Sequence, residues 1–251
     1  MKPIILLWSG LGFAAALLAS QVFEQSWSGR FALPPGGRLV VENVQGDVWV
    51  EGWDRAEVEV VVAKTAWDSG DHLDDVRIAV EFGDQSLILR TLYPDDLDEP
   101  VRVDYRLRVP RQVRLDGLST LEGDISVREV EGAVDARTLH GDIRQLDVTG
   151  SVVARTLTGN VAVSLRALPE AAVPLVLDSV NGNLDLVLPP RPNADLELST
   201  VAGRIEGKYI FETSAVPGDT VRRSRVGRGG VRVCLRTIRG NIRVAERDDS
   251  L

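Results

Sequence analysis

The chain has 251 residues, of which 44% are hydrophobic and 26% are charged, the composition of a folded globular protein. Its formal net charge of -8 disfavours a dedicated nucleic-acid-binding protein, which needs a basic surface. One cysteine, Cys234, and two histidines, His72 and His140, exclude a disulfide framework or a zinc finger and leave little for a catalytic triad. We therefore expect a non-enzymatic protein that needs no cofactor.

The first 22 residues have the features of an export signal. Lys2 supplies a positive end, and the segment 4–22 is almost wholly apolar. This segment is also about as long as a minimal membrane span, so it is either cleaved as a signal peptide or kept as a membrane anchor. No cysteine lies near it, which argues against lipoprotein processing. We predict an exported protein of the cell envelope, located in the periplasm, at the cell surface or on a membrane anchor.

Residues 23–37 are interpreted as a linker and residues 38–251 as a single domain. The linker ends in Pro34-Pro35-Gly36-Gly37, a turn-forming sequence. After it, apolar and polar residues alternate in short runs, which predicts strands rather than helices. The clearest run is 101–109, where nine residues alternate strictly before Pro110.

An internal repeat of nine residues occupies the middle of the domain, with the pattern apolar-x-Gly-x-apolar-x-apolar-x-x. Its glycines are Gly123, Gly132, Gly141, Gly150 and Gly159. The apolar residue two positions before each glycine is Leu121, Val130, Leu139, Val148 or Leu157. The last apolar position is Val127, Ala136, Gln145, Ala154 or Val163, with glutamine as the exception.

Alternate copies of this repeat are more alike, because Thr-Leu-x-Gly-Asp/Asn-Ile/Val begins at Thr120, Thr138 and Thr156. The underlying period is then eighteen residues, or two strands per coil. This pattern predicts an all-β fold, a β-solenoid resembling a parallel β-helix or roll, with about 18 residues per coil and further β-strands before it.

An Asp or Asn follows many of the repeat glycines, including those of looser copies earlier and later in the chain. The predicted turn ladder comprises Gly46, Asp47, Gly123, Asp124, Gly141, Asp142, Gly159, Asn160, Gly182, Asn183, Gly240 and Asn241. A row of such oxygens suits Ca²⁺ or a glycan, and paired carboxylates suit polysaccharide cleavage. Asp and Asn also cap turns and tolerate left-handed backbone, and each unit has one glycine only. We interpret the row as structural and predict no metal site.

The segment 40–54, Val-Val-Glu-Asn-Val-Gln-Gly-Asp-Val-Trp-Val-Glu-Gly-Trp-Asp, followed by Glu57-Val58-Glu59-Val60, resembles the start of the bacterial putative-adhesin domain-of-unknown-function family. The Thr-x-x-Gly-Asp/Asn-Ile copies resemble the body of that family. The resemblance covers most of the chain after the signal segment. It implies an exported β-solenoid and carries over no catalytic residues.

Two groups of residues are candidates for binding. A basic stretch lies within a long insertion, 208–230, and just after it: Arg222, Arg223, Arg225, Arg228 and Arg232. It would bind lipid headgroups, lipopolysaccharide or another anionic polymer, or else form only a glycine-broken surface loop. The second group, Trp49, Trp53 and Trp67, would stack on sugars or cap an open end of the solenoid.

We therefore predict a non-enzymatic, adhesin-like cell-envelope protein whose long side binds a partner through many weak contacts. The partner would be an envelope protein, a glycan or an anionic polymer, and not nucleic acid. The first alternative is a membrane-anchored periplasmic scaffold or envelope-stress sensor. The second alternative is a polysaccharide-active β-helix enzyme.

Overall fold

The computed structural model describes residues 22–67, 70, 72–94, 101–169, 173–209, 211–213 and 221–248. The predicted signal or anchor segment lies outside these residues except for Val22. All regular structure in the described ranges is β-strand, as the sequence predicts. Within those ranges, no helix is long and apolar enough to cross a membrane.

Twenty-one strands are present in the described residues. The first eight are β1 (Phe23–Ala32), β2 (Arg38–Glu42), β3 (Val48–Trp53), β4 (Glu57–Ala66), β5 (Arg77–Gly83), β6 (Ser86–Leu92), β7 (Arg102–Pro110) and β8 (Arg114–Glu122). The next seven are β9 (Ile125–Arg128), β10 (Val134–His140), β11 (Ile143–Thr149), β12 (Val152–Thr158), β13 (Val161–Ala167), β14 (Leu175–Asn181) and β15 (Leu184–Leu188). The last six are β16 (Ala194–Ala202), β17 (Ile205–Gly207), β18 (Glu212–Thr213), β19 (Val221–Val226), β20 (Val231–Arg239) and β21 (Ile242–Glu246).

These strands form two large mixed sheets. Sheet A has ten strands in the order β1-β4-β7-β3-β9-β11-β13-β15-β21-β17. Sheet B has eleven strands in the order β18-β19-β16-β20-β14-β12-β10-β8-β2-β6-β5. Neighbouring strands are parallel in the middle of each sheet and antiparallel at β1-β4-β7, β5-β6 and β16-β19-β18. The result is closer to a β-sandwich than to the uniform parallel roll that the sequence predicts.

The antiparallel strands explain this correction, because they lie outside the regular repeat. The 18-residue pattern runs only through the middle of the chain. A strand without this pattern is not constrained to pair in parallel with its neighbour. Residues 23–32, assigned to a linker from the sequence, form β1 and pair with β4 along their whole length. Part of the basic insertion, interpreted as a possible loop, forms β19 and pairs with β16.

Between the sheets lies one apolar core, built from alternate residues of each strand. In sheet A, one fully buried row contains Val48, Ile125, Ile143, Val161, Leu184 and Ile242. Burying one such side chain stabilises the fold by roughly 1.5–3 kcal/mol. Because neighbouring strands pair in matching register, the turns that contain a repeat glycine and the residue after it lie in one column. These turns connect sheet B to sheet A. We call each such turn, together with its two flanking strands, a rung.

Candidate interaction surface

Glycine is required in this column because the rungs approach closely there. At Gly141 the backbone φ is +151°, and an added Cβ would lie 2.0 Å from the carbonyl oxygen of Gly123. Gly159 has the same relation to Gly141, also at 2.0 Å. No side chain fits between rungs at these positions, so the glycine pattern follows from the spacing of parallel strands, about 4.8 Å.

The Asp and Asn residues after the glycines form a continuous hydrogen-bonded ladder. Each side-chain Oδ1 accepts the backbone N–H of the equivalent residue on the next rung. The first acceptor, Asp104, lies within β7 rather than after a glycine. With the acceptor named first and the N–H donor second, the bonds join Asp104 and Asp47 (2.7 Å), Asp47 and Asp124 (2.8 Å), Asp124 and Asp142 (2.8 Å), Asp142 and Asn160 (2.8 Å), Asn160 and Asn183 (3.0 Å), Asn183 and Asn241 (2.9 Å), and Asn241 and Arg204 (2.9 Å). The predicted ladder residues therefore lie in one column, and their acceptors satisfy backbone donors.

Arginines neutralise the carboxylates in this ladder. Arg144 contacts Asp142 at 2.5 Å and Asp124 at 3.4 Å, while Arg102 contacts Asp47 at 2.7 Å. Stacked carboxylates repel one another, so the arginines and the change to Asn in later rungs both reduce that repulsion. Among the described residues, no three His, Cys, Asp or Glu side chains are placed to hold a metal ion.

A second ladder lies just inside the first, where a buried hydroxyl donates to the glycine carbonyl of the preceding rung. The donors are Thr120, Thr138, Thr156, Ser179, Thr237 and Thr200, with oxygen–oxygen distances between 2.8 and 3.1 Å. These bonds satisfy carbonyl groups at the turn, which would otherwise be costly to bury.

Exposed aliphatic side chains follow the hydroxyl ladder on the outside of sheet B. Leu121, Leu139 and Leu157 lie one residue after Thr120, Thr138 and Thr156 and point to the opposite face. The same position is occupied in the other rungs, and we call the whole row the aliphatic stripe: Val44, Leu121, Leu139, Leu157, Val180, Ile238 and Val201. Apart from half-buried Val180, its members are 37–68% exposed.

The stripe is the main surface feature that sequence reasoning missed. The nine-residue period placed Leu121, Leu139 and Leu157 in one row with Val130 and Val148, yet only these two valines are buried. The eighteen-residue period contains the signal that separates them, because successive nine-residue units belong to opposite sheets. With seven members about 4.8 Å apart, the stripe is roughly 29 Å long. Its apolar area is on the order of 500 Å², a size at which exposed patches mark interaction sites.

Three arginines that lie two residues before members of the stripe are paired with carboxylates. Arg137 contacts Asp135 at 2.8 Å, Arg155 contacts Asp178 at 3.2 Å, and Arg236 contacts Glu197 at 3.4 Å. This flank is therefore polar but nearly neutral. The stripe with this polar flank suits a partner that has an apolar contact surface rather than a strongly anionic partner.

The predicted basic stretch is divided between two strands and a turn. Arg223 contacts Glu197 at 3.5 Å and Arg225 contacts Asp195 at 3.0 Å, both across the β16–β19 pair. The pKa of Asp195 is lowered by a hydrogen bond from the Gly230 N–H and by Arg225. Arg228 lies exposed at the turn after β19.

The remaining two arginines of this stretch differ in exposure. Arg232 is exposed on β20, next to the groove lined by Asp195 and Arg223, whereas one Nη atom of Arg222 is buried without a hydrogen-bond partner in the described residues. The stretch is therefore a set of cross-strand ion pairs with exposed arginines at its margin.

The tryptophans and histidines do not converge on one site. Trp49 faces outward on β3 under the guanidinium of Arg106, 5.2 Å from the ring centroid. Trp53 donates its Nε1–H to the Glu57 carbonyl at 2.8 Å, and Trp67 lies exposed after β4. His140 is exposed at the end of β10. The two remaining singled-out side chains are His72, whose Nδ1 lies 3.1 Å from Asp75, and buried Cys234, whose thiol pKa is raised by burial.

No protein-family model matches this chain, and no curated protein sequence matches it significantly. A putative cell adhesion protein from Clostridium sporogenes is similar in structure, with 11% identity and a TM-score of 0.42, over 89% of this chain and 100% of that one. A putative adhesin from Bacteroides fragilis has 9% identity and a TM-score of 0.45, over 88% and 97%. At such identities and TM-scores, the similarities do not carry the function of those proteins to this chain.

Proposed function

We propose that this chain is a non-enzymatic, adhesin-like protein of the cell envelope that binds an extended partner along the aliphatic stripe. The observation that supports this proposal is the stripe itself, which presents one aliphatic side chain per rung to solvent. Folding does not require these side chains to be apolar, because the core is formed by the opposite face of the same strands. A repeated row of this kind suits many weak contacts that add along an extended ligand.

Among the three partner classes, the stripe favours an envelope protein over a glycan or an anionic polymer. An apolar segment of a protein gains free energy by covering leucine and isoleucine side chains, whereas a glycan or a polyanion needs polar groups or unpaired cations. Arg137, Arg155 and Arg236 beside the stripe are paired with carboxylates, which weakens their attraction for an anionic polymer. Export is supported by the apolar segment 4–22 behind Lys2, and parallel pairing in the middle of both sheets supports solenoid-like stacking of the rungs.

Site-specific photocrosslinking in intact cells tests the binding surface. A photoreactive amino acid replaces Leu139 in the stripe, and a matched control replaces Val61, an exposed aliphatic residue on the outer face of sheet A. We expect a discrete adduct from position 139 and none from position 61. The adduct should fall at least tenfold when Leu121 and Leu157 are both changed to Ser. Equal labelling at both positions, or none at either, contradicts the proposal.

Protease treatment separates the possible partners and locations. An adduct that collapses to the size of the digested chain contains a protein, and one that keeps a large protease-resistant mass contains a glycan. Treatment of intact cells carrying a C-terminal tag then places the domain. Loss of the tag supports surface exposure, and retention until the envelope is opened supports the periplasmic scaffold instead.

A further inference from the structure

Among the described residues, no strand pairs with the second backbone edge of β1, at the N-terminal end of sheet A. Its ten residues pair with β4 in unbroken register, with no bulge, and contain no proline or lysine. The other sheet edges in the described residues are shorter: β5 has seven residues, β17 three and β18 two. A regular edge strand of this length is a template for pairing with another strand.

Aromatic side chains lie exposed along the same edge. Trp27 is 38% exposed and Phe82, on β5, is 70% exposed. The ring centroid of Phe31 lies 6.3 Å from that of Trp27 and 5.8 Å from that of Phe82. Gly29 permits this contact, because a Cβ there would come within 3.0 Å of Phe31 and 3.1 Å of Trp27. The edge thus combines an open backbone with an aromatic cluster that nothing in the described residues fully covers.

The sequence of β1 is complementary to its own reverse. It reads Phe-Glu-Gln-Ser-Trp-Ser-Gly-Arg-Phe over 23–31. When two such strands run antiparallel with Trp27 opposite Trp27, Phe23 faces Phe31, Glu24 faces Arg30, and Ser26 faces Ser28. A shift of the centre to Ser26 or Ser28 moves Glu24 away from Arg30 and separates the aromatic pairs.

We propose that β1 pairs with β1 of a second copy of this chain, antiparallel and two-fold symmetric about Trp27, so that the two copies of sheet A become one continuous sheet. Two Glu24–Arg30 pairs set the register, and the aromatic rings cover one another across the join. Arg30 already donates to Glu59 through Nε and Nη2, at 3.1 and 2.7 Å. Its Nη1 has no hydrogen bond to another described residue, so it can reach Glu24 of the second copy. This inference is independent of the function proposed for the stripe.

Charge reversal tests the register. Two variants of the full chain, Glu24→Arg and Arg30→Glu, each place like charges opposite one another twice per dimer, and both positions are exposed. We expect each variant alone to self-associate roughly tenfold more weakly than the natural chain, measured by sedimentation. Mixed together, the two variants should recover the natural affinity. In that mixture the arginine introduced at position 24 faces the glutamate introduced at position 30, and the natural Arg30 faces the natural Glu24. Asp54→Arg, an exposed reversal outside β1, is the matched control and should not change association.

Disulfide trapping measures the register directly. Chains carrying Ser26→Cys and Ser28→Cys, with different tags, are mixed and oxidised mildly. The proposed pairing joins the cysteine at position 26 of one chain to the cysteine at position 28 of the other faster than it joins either variant to itself. Buried Cys234 stays out of the reaction.

Each outcome decides the proposal. Recovery in the mixture together with the mixed disulfide supports it. A natural chain that stays monomeric at its highest soluble concentration overturns it. A dimer that survives both charge reversals also overturns it, because that dimer forms elsewhere. Circular dichroism of each variant confirms that the fold is kept.

Discussion

Gly141 meets two separate requirements, a left-handed backbone and the absence of a Cβ. The two can be separated, because Gly36 has a φ of +79° with nothing within 4 Å of its added Cβ. Gly36→Ala should therefore cost only the backbone strain, about 1–2 kcal/mol. Gly141→Ala adds a clash with the Gly123 carbonyl and should cost more than about 3 kcal/mol, since the rungs cannot separate without breaking both ladders.

Urea unfolding of the two alanine variants beside the natural chain measures this difference. Gly83→Ala serves as a third variant, with an ordinary φ and a nearest contact of 3.4 Å to the Ser86 hydroxyl, and should be nearly neutral. If Gly141→Ala costs no more than Gly36→Ala, the close approach between rungs does not limit stability.

Gln145 is a polar residue inside the core. It is fully buried, lies between Val127 and Val163 in sheet A, and forms no hydrogen bond to any described residue through Oε1 or Nε2. Burying an amide without partners costs roughly 1–3 kcal/mol. Gln145→Met keeps the volume and removes that cost, so it should raise the free energy of unfolding by about that amount. Gln145→Glu should lower it, because the same site would then bury a charge. A destabilised methionine variant would indicate that the amide has a partner, such as a buried water.

At the scale of elements, the Asp/Asn ladder acts as a row of caps between neighbouring rungs. The two carboxylate oxygens of Asp142 have different roles. Its Oδ1 accepts the Asn160 N–H as a cap, while its other oxygen forms an ion pair with Arg144. Asp142→Asn keeps the cap and should change stability by less than about 0.5 kcal/mol, as surface ion pairs contribute little. Asp142→Ala removes the cap and should cost about 1 kcal/mol. Thermal unfolding in low and high salt distinguishes the two losses, since only the ion pair is screened. Equal effects of both substitutions would mean that the charge, not the cap, stabilises this turn.

The strands of the central rungs could be predicted from the sequence because each has the same local pattern. The alternation around Ile125, Ile143 and Val161 specifies a buried face, and the glycine marks the turn. The exposed leucines could not be separated from the buried valines by a nine-residue period alone, since both belong to apolar rows. β1 was missed because Gln25 and Gly29 interrupt the apolar face that carries Phe23, Trp27 and Phe31, and because its pairing with β4 depends on distant residues.

The order of strands along the molecule differs from the order along the chain. β20 lies between β14 and β16 in sheet B, and β21 lies between β15 and β17 in sheet A. The final rung of the sequence is therefore internal to both sheets. Sequence patterns could not reveal this order, because the rung around Gly240 carries the same residue types as those around Gly182 and Gly203.

Because of this strand order, we expect β16 to β19 to stay folded only when the C-terminal strands β20 and β21 are present. A chain that stops after Gly230 lacks β20 and β21, so β14 and β15 become open edges and β16 to β19 lose their attachment to the sheets. A few antiparallel strands alone are marginally stable at best. We expect limited proteolysis, followed by mass spectrometry, to cut within 189–230 while the strands from β2 to β15 stay protected. A chain that stops after Asp248 keeps every described strand and should resist the same treatment. If the shorter chain also resists proteolysis, the segment from β16 to β19 keeps its fold without β20 and β21. The last rung is then not required for the stability of that segment.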